Sequence, residues 1–498
     1  IFLIWANFSW YIVIGYTFDT MYQIFLMYYD RSILTAMMRY ARPRSQRHSF
    51  EEVLSEVWYD IEHIDVTLPE NILALEAEYF RIVCNEDSSP ELQAMKKIFD
   101  LEHQLAPVLA HMEANGVFLD APLLIVESKN ILRRIEDLKK TIYLHAGEEF
   151  NISSSKQLQI LLFEKLWLQY GKKNKTGYSV DAEVLEWLQD KHPIILPILE
   201  YRTLTKLQST YFDVLPRSIS PRTSRIHPTY IQIGAATGRI ACEEPNLQNI
   251  PAHGEGSEIL RRAFRPENSD TVYVVADFAQ MELKILANLS GDRAFQDAFL
   301  AWGDIHQRTA EFLFGHTNIS GDERRIAKAV NFGVIYGVSG FGLMKTTGLS
   351  RKDADGFIKA FYEAYPWVGA YYEWLLEEVR AQWYAQTFLG RRRWIDGIND
   401  SNKMLRSAAE REAMNMPIQG TWADVLKLSL IKADRLIRES FDEVKMVMNI
   451  HDEIVFEVPR IQSDDFCQKL REILWYDDLG IIPLTVDIGV GDNWWEAK

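Results

Sequence analysis

Lys445-Met-Val-Met-Asn-Ile-His-Asp-Glu-Ile-Val-Phe-Glu-Val458 is two apolar, β-leaning runs around a polar centre. Short runs rich in Val, Ile and Phe, interrupted by turn residues, predict strands, so this stretch predicts a hairpin with Asp452 at its turn. Upstream, Thr271-Val-Tyr-Val-Val-Ala276 is another short β-rich run, and it ends at Asp277. A helical pattern follows from Gln280 to Leu289, and Gly321–Gly337 reads as a further helix. Helices interleaved with an antiparallel hairpin predict an α+β fold, not a doubly wound parallel sheet.

The two acids flanked by these apolar runs are the first candidates for chemistry. A carboxylate at a strand end is costly to bury unless something positive pairs with it. Two such groups can share a pair of Mg²⁺ ions, which prefer carboxylate, water and phosphate oxygens. Ions about 3.5–4 Å apart can stabilise both the attacking and the leaving oxygen of a displacement. Taken alone, Asp277 and Asp452 are more readily read as two unrelated turn aspartates.

The helix at 321–337 shifts that balance. Steps of four residues turn about 400°, so Arg324, Lys328, Phe332 and Tyr336 lie on one slowly drifting stripe. The stripe runs cation, cation, aromatic, aromatic. Arg and Lys suit charged phosphates, and aromatic faces suit sugar and base. Gly333 and Gly337 leave room for close backbone approach. A merely solvated basic face has no reason to carry Phe and Tyr on the same line.

Net charge is −16, from 54 basic and 70 acidic residues, which by itself argues against a nucleic-acid partner. The basic residues are clustered, however: Lys172, Lys173 and Lys175; Arg261, Arg262 and Arg265; Arg324, Arg325 and Lys328; Arg391, Arg392 and Arg393. Screening limits the reach of distant acids to about 10 Å, so a local basic groove still attracts phosphate. Three widely separated cysteines, Cys84, Cys242 and Cys467, argue against a disulfide framework and fit a reducing, cytoplasmic setting. Ile1 to Phe18 carry no charge. No Lys or Arg precedes them, and Asn7, Ser9 and Thr17 interrupt them, so a buried strand and helix of a domain beginning upstream is expected, not a membrane span.

Elsewhere the apolar spacing is helical from about Leu101 to Leu144. The serines of Asn151-Ile-Ser-Ser-Ser155 supply N-caps for the Leu158–Leu168 run. Residues 181–215 read as two more helices.

Three segments carry a resemblance to a known family. They are Asp277-Phe-Ala-Gln-Met-Glu-Leu-Lys284, Arg324-x3-Lys328-x2-Asn-Phe-Gly-x2-Tyr-Gly337 and His451-Asp-Glu453. Supporting segments are Thr237-Gly-Arg-Ile-Ala-Cys242 through Pro251, Asp304-Ile-His306, Leu389-Gly-Arg-Arg-Arg393 and Ala409-Glu-Arg411 through Thr421. In order and combination, from about Leu101 to Lys498, they resemble the motifs of family A DNA polymerases of the bacterial DNA polymerase I type.

That resemblance implies a right-hand fold: an antiparallel palm sheet with helical fingers and thumb. It implies template-directed addition of deoxynucleotides to a primer 3′ end. Asp277, Asp452 and the backbone carbonyl of Phe278 would ligate two Mg²⁺ ions, for which Mn²⁺ can substitute. Arg324, Lys328, Phe332, Tyr336, His306, Gln280 and Glu282 would bind the nucleotide. Lys328 would also serve as general acid, and Glu282 would exclude a 2′-hydroxyl. Arg239, Asn415, Gln419 and His451 would contact DNA, the first three from the minor-groove side, where acceptors are largely sequence-independent. The Arg391–Arg393 run is expected either to touch the template backbone or to form a solvated basic turn. Partners would be primer–template DNA and deoxynucleoside triphosphates, with no membrane, and the chain would be a monomer.

Departures from the family pattern are Phe278 and Ala279 for a tyrosine and a serine, Lys284 for an arginine, Ala241-Cys242 for a serine pair, and Trp422 for a small residue. None removes a metal ligand. The expected division is 1–95 for a partial, inactive 3′→5′ exonuclease-like α/β domain, 96–215 for the thumb, 216–290 and 400–498 for the palm, and 291–399 for the fingers. Asp19 is the only candidate acid of the exonuclease-like region, since Tyr79 is followed four places on by Val83. No proofreading is therefore expected. The rival readings are a single-subunit RNA polymerase and an inactive DNA-binding relative.

Overall fold

The structure is a computed structural model that describes residues 90–498 apart from 172, 175, 176, 233, 253–255 and 303. The expectations placed on residues 1–89, Asp19 and Cys84 among them, lie outside the described residues.

The predicted strands β1 (Thr271–Phe278), β2 (Lys445–Ile450) and β3 (Glu453–Pro459) form one antiparallel sheet with a further strand not predicted from the sequence, β4 (Val486–Gly491), in the order β2-β3-β1-β4. Burial along β1, β2 and β3 is nearly continuous instead of alternating. Both sheet faces are therefore covered, which explains why these strands read as unbroken apolar runs. The register sets Glu453 and Asp487 on either side of Asp277, so three acids line one row at the end of the sheet.

Helices supply the cover. In chain order the principal ones are α1 (Pro90–Asn115), α2 (Ala121–Ala146), α3 (Ile195–Leu207), α4 (Met281–Ser290), α5 (Ile305–Phe314), α6 (Gly321–Ile335), α7 (Pro366–Gln382), α8 (Lys403–Ser440) and α9 (Ser463–Leu474). Helix α1 packs on β2 and α8, α9 packs on the sheet, and α4 packs on α6, α7 and α8. Trp422, Trp494, Tyr273 and Phe264 are among the largest wholly buried side chains.

Two local expectations are refined. The helical spacing from Leu101 to Leu144 belongs to two helices, α1 and α2, not to one continuous pattern. Gly116 adopts φ +57°, Val117–Phe118 form a short strand, and Asp120 caps α2 with Pro122 in its first turn. The predicted serine cap is Ser154, whose side chain accepts the Gln157 N–H. The run after it is a single α turn followed by a wider-wound segment at Ile160–Lys165.

Candidate active site

The hairpin turn between β2 and β3 is only His451 and Asp452, because Ile450 pairs with Glu453. His451 takes φ +52°, a left-handed conformation that costs a side chain with a Cβ about 1 kcal/mol. The turn places Asp452 against the end of β1, where the Phe278 N–H donates to the Asp452 carbonyl at 3.2 Å. The two acids that the sequence separates thus meet at one sheet end.

Their electrostatics are strained. Burial, and the facing carboxylates of Glu453, Asp452 and Asp487, push Asp277 up to about 6, with Lys498 offsetting part of this. Burial also raises Asp452, against the pull of the Trp422 N–H and the Arg239 and His451 side chains. Glu453 is otherwise engaged. It accepts from Trp494 Nε1 at 2.9 Å and from Lys498, with Arg261 at 3.8 Å. Asp277 and Asp452, with the exposed Asp487 beside Asp277, therefore remain as the carboxylates at this sheet end, and Lys498 Nζ stands 4.0 Å from Asp277 Oδ2. Among the described residues no three His, Cys, Asp or Glu side chains form a metal nest by themselves.

Helix α6 begins with a capping box, in which Ser320 and Glu323 bond each other's backbone N–H groups. Ala327, Val330, Asn331, Val334 and Ile335 are its buried side. Arg324 and Lys328 are exposed, Phe332 is half-buried, and Tyr336 is the 38% exposed C-cap, so the predicted stripe is the unburied side. Arg324 is held by Asp304 at 2.9 Å, while Asp304 also caps α5.

His306, expected alongside the stripe, sits beneath it, with 3% exposure and its ring 5.7 Å from Phe332. Burial and the Arg324 and Lys328 cations push it down to about 4. The Asn331 amide lies 3.0 Å from its Nδ1, which suits the neutral ring.

Glu282, in the first turn of α4, joins the two halves of the site. Arg239 donates to its Oε1 at 2.5 Å, and Tyr336 donates to its Oε2 at 2.7 Å. Gln419 bonds Tyr336 in turn, and Asn415 lies one turn earlier on α8. Gln280 precedes α4 in a left-handed conformation, φ +57°. His451 is exposed at the turn.

The Arg391–Arg393 run is paired within the protein, which corrects the solvated-turn alternative. Arg391 donates to Asp424 at 2.7 Å and to Glu102. Arg392 stacks over Tyr384 at 4.4 Å, and Arg393 pairs with Glu412. Lys427, wholly buried, donates to Glu102 at 2.5 Å, completing a four-charge cluster. Gly238 (φ +82°) lies against this cluster: a Cβ there would come 2.7 Å from the Arg391 Nε. The cluster thereby seats the loop that carries Arg239. Sequence reading missed it because its members come from three separate segments, Glu102 in α1, Arg391, and Asp424 with Lys427 in α8, none patterned for pairing.

The profile of DNA polymerase family A matches residues 123–496. The chain is 42% identical over 401 residues to DNA polymerase I of Caldicellulosiruptor bescii, covering 80% of this chain and 47% of that protein. It is 42% identical over 410 residues to DNA polymerase I of Streptococcus pneumoniae (strain R6), covering 81% and 46%. The chain thus spans about half the length of the curated relatives it matches. Among solved structures it resembles the POL domain of Pol1 from M. smegmatis in complex with DNA primer-template and dNTP. The TM-score is 0.81 at 31% identity, covering 93% of this chain and 81% of that one. The fold is the α+β right hand that the motifs imply, and the chain belongs to DNA polymerase family A.

Proposed function

We propose that this chain is a template-directed DNA polymerase that extends a primer 3′ end with deoxynucleotides. The observation that carries the reading is the meeting of Asp277 and Asp452 at one sheet end, joined through the Phe278 N–H, beside a helix whose unburied side is Arg324, Lys328, Phe332 and Tyr336. The donor set is all oxygen, and the crowded negative charge that raises Asp277 is what a hard divalent cation relieves. Asp277, Asp452 and the Phe278 carbonyl are the groups that would hold a pair of Mg²⁺ ions. When bound, such ions stabilise charge on the attacking and leaving oxygens.

The remaining roles follow from placement. Arg324, oriented by Asp304, and Lys328 hold the triphosphate, and Lys328 stands ready to protonate the departing pyrophosphate. Phe332 and Tyr336 flank the incoming nucleotide and the templating base. Glu282, clamped by Arg239 and Tyr336, fills the space a 2′-hydroxyl would need. His306 supports the stripe from below, and Gln280 stands between the acids and α4. Arg239, Asn415, Gln419 and His451 face the primer–template. The thumb is residues 96–215, the palm 216–290 and 400–498, and the fingers 291–399. The relative whose structure is similar is described with primer-template and dNTP, which supports the same partners here.

The chain works as a monomer in the cytoplasm. Cys242 and Cys467 are unpaired and buried, as a reducing compartment favours, and no helix among the described residues is long and apolar enough to cross a membrane. No 3′→5′ removal accompanies synthesis, a reading that rests on the sequence of residues 1–95. Primer extension with Mg²⁺ on a gapped template tests these statements together. Extension with deoxynucleotides and none with ribonucleotides supports them. Preferential ribonucleotide addition would favour an RNA polymerase, and nucleotide release from a mismatched primer would overturn the absence of proofreading.

A further inference from the structure

Trp422 lies in α8 with 1% exposure, and its indole N–H donates to Asp452 Oδ1 at 2.7 Å. Its ring also meets Phe278 edge-to-face, with centroids 4.8 Å apart and planes at 66°. Phe278 is itself 1% exposed. One wholly buried side chain therefore touches both a carboxylate and the residue whose carbonyl completes the candidate cation site. Family A resemblance places a small residue here, which could make neither contact.

Resting on the polymerase reading, we propose that Trp422 is a positioning residue for the cation site: it occupies Asp452 Oδ1, leaves Oδ2 to the cations, and braces the Phe278 backbone through its ring. An aspartate's terminal torsion is broad, so an unheld carboxylate would sample many planes. A neutral donor on one oxygen fixes the plane without cancelling the charge. Because α8 is a 38-residue helix packed in the core, the donor is held independently of bound DNA. Partners of this kind behind a ligating group are worth roughly 10- to 100-fold in metal affinity or activity.

The test replaces Trp422 by β-(3-benzothienyl)alanine, which keeps the ring shape and lacks the N–H, with Trp422→Phe as a second variant. Mn²⁺ binding is titrated by the resonance signal of the free ion, on protein holding a dideoxy-terminated primer–template and the next nucleotide. Single-turnover extension is then measured across a Mg²⁺ series. The expected result is about tenfold weaker Mn²⁺ binding in both variants. Extension should be slow at low Mg²⁺ and recover at high Mg²⁺, with the isostere's unfolding midpoint close to wild type. Wild-type Mn²⁺ affinity in the isostere would overturn the proposal, as would a slowed extension that Mg²⁺ fails to restore. If wild type extends primers and binds Mn²⁺ more tightly than Asp452→Ala while the isostere matches wild type, only the Trp422 inference fails. If wild type does neither, the polymerase reading fails and takes this inference with it.

Discussion

The Tyr336 hydroxyl donates to Glu282 Oε2 at 2.7 Å, tying the C-cap of α6 to the first turn of α4. Burial, then the bond to Glu282, pushes Tyr336 up to about 12, so it stays a donor at any working pH. With Arg239 on the other oxygen, Glu282 is held from both sides.

Glu282→Ala should therefore admit ribonucleotides. The ratio of kcat/KM for deoxy- over ribonucleotides is expected to fall roughly tenfold or more, the scale of steric discrimination in a shaped pocket. Deoxynucleotide addition should also slow, because Tyr336 loses its acceptor. An unchanged ratio would contradict the role given to Glu282.

Phe332 lies half-buried on the same unburied side of α6 and offers no hydroxyl to the sugar. Wild type is expected to discriminate strongly against dideoxynucleotides, and Phe332→Tyr to terminate readily at them. Chain-termination ladders at matched dideoxy/deoxy ratios measure this. Identical ladders would contradict it.

His306 makes stability pH-dependent. Its folded value of about 4 lies below the ordinary 6.5, so folding favours the neutral ring. The stabilisation is full above pH 6.5 and is lost as pH falls from 6.5 toward 4, by ~3 kcal/mol for this buried group. In His306→Gln, the drop in unfolding free energy between pH 7 and pH 4 should shrink by about that amount. An undiminished drop would place the acid sensitivity elsewhere.

The Glu102–Arg391–Asp424–Lys427 cluster is buried and internally neutral. Removing one partner leaves an uncompensated charge, which costs roughly 3–5 kcal/mol. Lys427→Met should lower the unfolding free energy in urea by that amount. A loss below about 1 kcal/mol would mean the cluster contributes little.

Much of the catalytic end was legible beforehand because it is built from local patterns. The hairpin, β1, the start of α6 and the Ser154 cap each announce themselves within a dozen residues. The stripe on α6 needed only helical periodicity. Contacts between distant segments were not legible. Nothing near Glu102 reveals that it will meet Lys427 and Arg391, and nothing in three consecutive arginines reveals that each has a protein partner. The break between α1 and α2 was hidden because helical apolar spacing continues on both sides of Gly116. Trp422 was visible as a departure, but only the structure shows its N–H on Asp452.

The central claim is that Asp277 and Asp452 act together as the cation-holding pair of a polymerase. Single-turnover primer extension by Asp277→Ala and Asp452→Ala, alongside primer–template binding, tests it most directly. Each variant is expected to lose extension on the order of a thousandfold while binding DNA as wild type does. Extension by Asp452→Ala at the wild-type rate would contradict the account.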